Sequence, residues 1–245
     1  MANLKELKTQ IENANEKGKK LLEDLHCIEL DDTATTYDIV NCISQIPPLQ
    51  YAKNLSSFMR LAQIPENTEY TLYLPKCENL EEFMFNVKNL KSVRFTALNE
   101  YGTTFLRKCF YSCPNLEEVC FDLGVEEGFE YSYVLCGSFT GFVSNCSKIK
   151  RIEAVFDVYD VEEDSVSIAG CKELEEIFFA EYSISVSFSI KDSPKLSPKS
   201  VESIVEALVD AEEPRTLTLN SVINLSDEQK ARINSRGWSL VLYEK

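Results

Sequence analysis

A nine-residue motif recurs along this chain and constrains its fold more than any other feature. Cys-x-x-Leu-Glu-Glu-apolar-x-Phe stands at 77–85, 113–121 and 171–179. Looser copies run from Val87 to Phe95 and from Asn145 to Ile152, and a truncated one runs from Ser193 to Leu196. The anchoring residues are Leu80, Leu90, Leu116, Ile149, Leu174 and Leu196, at intervals of 10, 26, 33, 25 and 22. The four longer intervals lie near the period of a leucine-rich repeat with insertions. Cys and Leu are expected to point into a shared core. The paired charges form an exposed bend entering a short strand, and apolar-x-Phe is that strand, with its outer residues inward. A single unit cannot bury its apolar face, so neighbours must stack.

Three regions follow. Residues 1–50 carry Leu4, Leu7, Ile11, Ala14, Leu21, Leu25 and Ile28 on a three-four spacing, interrupted only by Gly18. That predicts an amphipathic helix whose stripe needs a partner, either the rest of the chain or the same helix in neighbouring subunits. Leu4, Leu7, Ile11, Leu21 and Leu25 are the candidate oligomerisation residues. A second short helix follows, capped by Thr35 or Thr36 and stopped at Pro47-Pro48. Residues 51–196 form the repeat array, including a predicted strand from Tyr182 to Ile190 that alternates apolar residues with serines. Residues 197–245 read as a closing cap. Ser197-Pro198 opens a helix, 216–220 is a strand, Ser226 with Gln229 forms a capping box, Gly237 ends that helix, and 238–243 is a last strand. The expected fold class is therefore an α/β repeat: an irregular leucine-rich-repeat solenoid with an N-terminal helical segment and a C-terminal αβαβ cap.

These repeats resemble the BspA-type leucine-rich repeat family, whose units read roughly Phe…Cys-x-x-Leu-x-x-Ile-x-apolar. Phe105 to Leu116 fits that pattern, as does Phe139 to Cys146. Residues 196–205 (Leu-Ser-Pro-Lys-Ser-Val-Glu-Ser-Ile-Val) and 225–238 are similar to the tails of repeat proteins encoded by bacteriophages and prophages of gut bacteria. Residues 31–40 look like the N-terminal linkers of such proteins. The resemblance implies a virion protein of the tail or baseplate region. Many members of the broader family are surface adhesins with secretion signals, and the charged start of this sequence departs from them.

Charge narrows the partners. Forty acidic residues against 25 basic give a net charge of −15. That field repels nucleic acid and favours a basic protein surface. No run of about 18 apolar residues exists to span a membrane. Nine cysteines without dense spacing point to reduced, half-buried thiols and a chain made in a reducing compartment; the phage resemblance implies that this is the bacterial host cytoplasm, before incorporation into a virion.

The candidate catalytic groups read as scaffold. The Glu pairs at 81–82, 117–118 and 175–176 share one phase of a repeat, and adjacent turn residues do not converge on one bond. Cys77, Cys113, Cys146 and Cys171 are equivalent positions in different repeats rather than a local zinc-binding pair. His26 is the only histidine and lies in the N-terminal segment. No glycine-rich phosphate loop is present. No catalytic residue, metal or cofactor is expected. The middle residue of each strand triplet should face outward: Met84, Arg94, Cys120 and Phe178. Met, Phe and Arg there are typical of contact surfaces; the plainer alternative is that a loop or helix covers this face. The expected partners are other protein subunits, of virion or host, a host-surface molecule, or further copies of the chain. The alternative function is an intracellular protein-interaction module, such as a phage-encoded inhibitor of a host protein.

Overall fold

The computed structural model describes residues 51–99, 102–125 and 130–244. The predicted N-terminal helices, with Leu4, Leu7, Ile11, Leu21 and Leu25, and His26 lie outside the described residues.

Four motif copies produce strands at the predicted phase: β2 (Leu90–Leu98), β4 (Glu118–Phe121), β6 (Arg151–Asp157) and β8 (Glu176–Phe179). They pair in parallel in that order, with β1 (Thr68–Leu74) added before β2. β3 (Thr104–Phe105) and β5 (Tyr133–Ser138) join the same sheet through β6. Alternation is strict in β1, where Thr68, Tyr70, Leu72 and Leu74 are buried and the residues between them exposed.

The copy at 77–85 behaves differently. Glu82 takes a left-handed φ of 53° and the segment folds as successive turns. Its register partner is the Phe105–Tyr111 segment, which leaves β3 and continues as turns: Leu80, Glu82 and Met84 N–H groups donate to the carbonyls of Phe105, Arg107 and Cys109 at 2.9, 3.0 and 2.8 Å. The interval of 10 residues between Leu80 and Leu90, out of step with the others, is the trace of this difference in the sequence.

These turns stack on one another through backbone hydrogen bonds. Left-handed residues recur in pairs four apart: Ser57 and Leu61, Glu82 and Asn86, Lys108 and Ser112, Gly141 and Asn145. Each non-glycine residue in that conformation costs on the order of 1 kcal/mol, and the ladder of N–H donors to the next coil offsets it. The row continues through Gly141 N–H and Asn145 N–H, which donate to Ser167 and Ala169 carbonyls. There it becomes a second parallel sheet of β7 (Ser165–Ala169), β9 (Ser187–Lys191), β10 (Arg215–Asn220) and β11 (Trp238–Tyr243).

The expectation of a leucine-rich-repeat solenoid with a separate αβαβ cap is therefore corrected. The described residues form an α/β fold of mostly parallel sheets curled into a half-barrel. The physical reason is that the segments returning between motif strands also hydrogen-bond in parallel, so extended backbone occupies both sides of the core. Among the described residues only α1 (Pro198–Ala207) and α2 (Asp227–Ser235) are α-helices. Their caps are as predicted: Ser197 accepts from Ser200 N–H at 3.2 Å, and Ser226 and Gln229 form the reciprocal capping box. Yet β10 and β11 do not close a separate cap; they extend the β7–β9 sheet. The predicted serine strand is shorter than expected. Tyr182 is left-handed at φ 55°, Ile184 makes only an isolated bridge to Leu208, and the strand begins at Ser187.

One apolar cluster fills the half-barrel from Leu55 to Trp238. Its axis is a file of phenylalanines, with Phe95–Phe121, Phe139–Phe156 and Phe179–Phe188 centroids at 4.9, 4.8 and 5.1 Å. Such pairs add roughly 0.5–1.5 kcal/mol each beyond area burial.

Candidate interaction surface

The outer face of the larger sheet is a register of side chains fixed by parallel pairing. One row runs Glu69–Ser92–Glu118–Arg151–Glu176, and the next Thr71–Arg94–Cys120–Glu153. A third contact joins Val155 to Phe178 across a register shift.

Charge pairing ties the first row together. Arg151 reaches Glu176 at 3.1 Å, Glu118 at 4.0 Å, and also Glu153. Partial burial works against its charge, yet Glu153, Glu176 and Glu118 hold its pKa above the ordinary guanidinium value. Lys91 meets Glu69 at 2.7 Å and Arg94 meets Asp122 at 3.4 Å. Exposed pairs of this kind contribute at most about 1 kcal/mol each; their effect is to hold the side chains in place.

Three of the four predicted outward residues lie on this face. Arg94 is exposed and stands between Thr71 and Cys120. Cys120 is on the face but buried, beside Glu153 in register on β6. Burial, that carboxylate and the charge of Asp122 push the Cys120 thiol up to about 12, against the smaller effect of Arg94. Phe178 is on the face and covered. Tyr131 stacks on it at 4.9 Å, and Val155, Ala180 and Tyr133 complete a small second apolar cluster. The Tyr133 hydroxyl donates to Asp157 Oδ2 at 2.7 Å, which fixes that cover. Met84 is the exception: it is 0% exposed, inside the turn segment rather than on a strand. Its expected outward position is corrected, because the turns at 80–86 rotate it into the core.

The β6–β8 end of the face is thus closed by the protein's own tyrosines. At the β1–β2 end, by contrast, no side chain among the described residues closes the face: Glu69, Thr71 and Tyr73 on β1 and Arg94 and Thr96 on β2 point away from the core, with Tyr73 43% exposed. Sequence reading stopped the Ile149 copy at Ile152 and so missed Glu153, Val155 and Asp157. The signal was the continued alternation of Ile152, Ala154 and Phe156 inward. Tyr131 and Tyr133, which lie between motif copies, carry no repeat signature.

The motif cysteines are internal. Cys77, Cys113, Cys146 and Cys171 are fully buried and free. The thiols of Cys113, Cys146 and Cys171 donate to the carbonyls of Met84, Phe110 and Val143 at 2.9, 2.9 and 3.1 Å. Burial pushes Cys77 up to about 11 and Cys171 to about 12, despite backbone hydrogen bonds that lower both. Of the recurrent glutamates, Glu81, Glu82, Glu118 and Glu176 bear ion pairs, Glu81 with Arg107 at 3.0 Å for example. Among the described residues no helix is long and apolar enough to cross a membrane. Comparison of the chain with protein-family models, curated proteins and solved structures finds no match.

Proposed function

We propose that this chain is a non-enzymatic protein-binding component of a phage particle, associated with the tail or baseplate, that binds another virion subunit or a host-surface molecule. The observation that carries the binding half is the open β1–β2 end of the outer face, where Tyr73, Thr71 and Arg94 stand exposed on paired strands beside a region closed by the protein's own side chains. An amphipathic aromatic and an arginine on rigid backbone supply contact energy at small entropic cost. The phage assignment rests on the likeness of residues 196–205 and 225–238 to phage repeat proteins. Detection of the chain in purified particles tests it; a chain found only in host lysate contradicts it.

The net charge of −15 favours a second reading, an intracellular inhibitor that docks on a basic site of a host protein. A stoichiometric cytosolic partner whose binding weakens steeply with salt selects that reading over the first.

A further inference from the structure

The outer face of the smaller sheet carries hydroxyls rather than charges. Val166, Phe188 and Leu217 point into the core, so the residues on either side of each face out. Parallel register sets these in two rows across the four strands, Ser165–Ser187–Thr216–Ser239 and Ser167–Ser189–Thr218–Val241. All are exposed or half-buried. Seven of the eight positions are serine or threonine and none is charged, in a chain that is 27% charged. Ser187 Oγ accepts from Thr216 N–H at 3.2 Å. Among the described residues no hydrogen bond engages the other six hydroxyls. With strands about 4.8 Å apart and alternate residues about 7 Å apart, the rows cover roughly 14 by 7 Å. Charges stand at the borders: Asp164 and Arg215 precede the rows and Lys191 follows them. Lys191 Nζ lies 5.5 Å from the Tyr243 ring centroid.

We propose that this face binds a neutral glycan. Its chemistry selects that class. A hydroxyl donates once, accepts twice and rotates to suit its partner, so an array of them meets sugar hydroxyls in varied patterns. The two rows offer no ion pair to a charged ligand, and the net charge of −15 repels anionic polysaccharide. Serine is depleted in protein interfaces, and serine and threonine are under-represented among their hot spots, which disfavours a protein partner here. The strand spacing is close to the advance of one pyranose unit along an extended chain. A linear oligosaccharide lying across β7, β9, β10 and β11 therefore meets a hydroxyl on every strand. The Tyr243 ring at the border adds an apolar surface for the C–H face of a sugar. The inference is independent of the β1–β2 surface, which belongs to the other sheet.

Amide chemical shifts of the full chain, titrated with maltohexaose, cellohexaose and mannohexaose to about 10 mM, test it, because a flat face without a cleft binds with a Kd on the order of 1 mM. At least one neutral hexasaccharide is expected to shift the amides of β9 and β10, and a hexuronate of equal length is not. Ser189→Ala with Thr218→Val removes two central hydroxyls and keeps the shape of the sheet. It weakens binding by about tenfold at an unchanged melting temperature. A face of rotating hydroxyls recognises the class and not one sugar, so silence from all three neutral probes overturns the proposal. So does equal affinity in the variant, or equal binding of the hexuronate. Shifts in β9 and β10 that grow with protein concentration alone overturn it too, and assign the face to a protein contact.

Discussion

The Cys146 thiol donates to the Phe110 carbonyl at 2.9 Å, joining two turns of the chain that lie 36 positions apart in sequence. Cys113 does the same to Met84, and Cys171 to Val143. The recurrent cysteine is therefore explained by size and by one weak donor. It is small enough for a fully packed position and adds a donor to a buried carbonyl; the Val143 carbonyl also accepts from Cys146 N–H at 3.2 Å. Cys146→Ala, which removes the donor and leaves a void, is expected to lower unfolding free energy by about 1–3 kcal/mol. Cys146→Ser keeps a donor and loses less. Urea denaturation of both variants checks this; a neutral Cys146→Ala would mean that the hydrogen bond contributes nothing.

Gly170 precedes the third full motif at φ 73°, and a Cβ there would lie 2.7 Å from Asn145 Oδ1 and 3.3 Å from Asn145 Cα. Asn145 is itself left-handed at φ 62°. Gly170→Ala should cost about 2–3 kcal/mol, from backbone strain and a neighbour that cannot retreat. Gly124, at φ 90° with open space around it, is the control and should lose about 1 kcal/mol. Equal losses in thermal unfolding would show that the close approach to Asn145 is not what fixes glycine.

The buried thiols predict an alkaline limit to stability. Cys77 and Cys171 are held at about 11 and about 12 against an ordinary value of 9.0. Unfolded thiols lose their protons above pH 9 while folded ones keep them. Stability from this source is thus complete below pH 9 and falls as pH rises toward the folded values, with a slope of up to about 1.4 kcal/mol per pH unit per thiol. Urea midpoints from pH 8 to 10.5, compared between wild type and Cys171→Ser, read the contribution as a shallower alkaline decline in the variant. Parallel declines would remove the thiol from the explanation.

Tyr131 and Phe178 stack with rings 13° apart on the outer face of the large sheet. Phe178→Ser should cost about 2–4 kcal/mol and Tyr131→Ala about 1–2. Their coupling in a double-mutant cycle should reach about 1 kcal/mol. Additive losses would mean that the two rings do not cover one another.

Much of the strand order was legible because Leu90, Leu116, Ile149 and Leu174 each precede a short alternation of inward residues, and the helix starts at Ser197 and Ser226 carry complete cap signals. Three strands of the second sheet were legible as well, within 182–190 and at 216–220 and 238–243, but their pairing into one sheet was not. Its members pair across segments without a shared motif, and the turn ladder depends on left-handed Ser57, Glu82 and Lys108, residue types with little preference for that conformation. Glu81-Glu82 and Glu117-Glu118 read alike, but the first enters turns and the second a strand. The difference comes from the neighbouring coil to which each is hydrogen-bonded, which local sequence does not encode. On the candidate surface, Arg94 was legible from alternation, whereas the cover over Phe178 comes from Tyr131 on an unrelated segment.

The open β1–β2 face is tested most directly by affinity capture with the full chain and a Tyr73→Ser, Arg94→Glu variant, from purified particles and from host lysate, with quantitative mass spectrometry. The proposed function predicts one stoichiometric partner that the wild type retains and the variant loses by about tenfold or more, at an unchanged melting temperature. Equal capture by both proteins at equal stability would contradict it and place the binding surface elsewhere on the molecule.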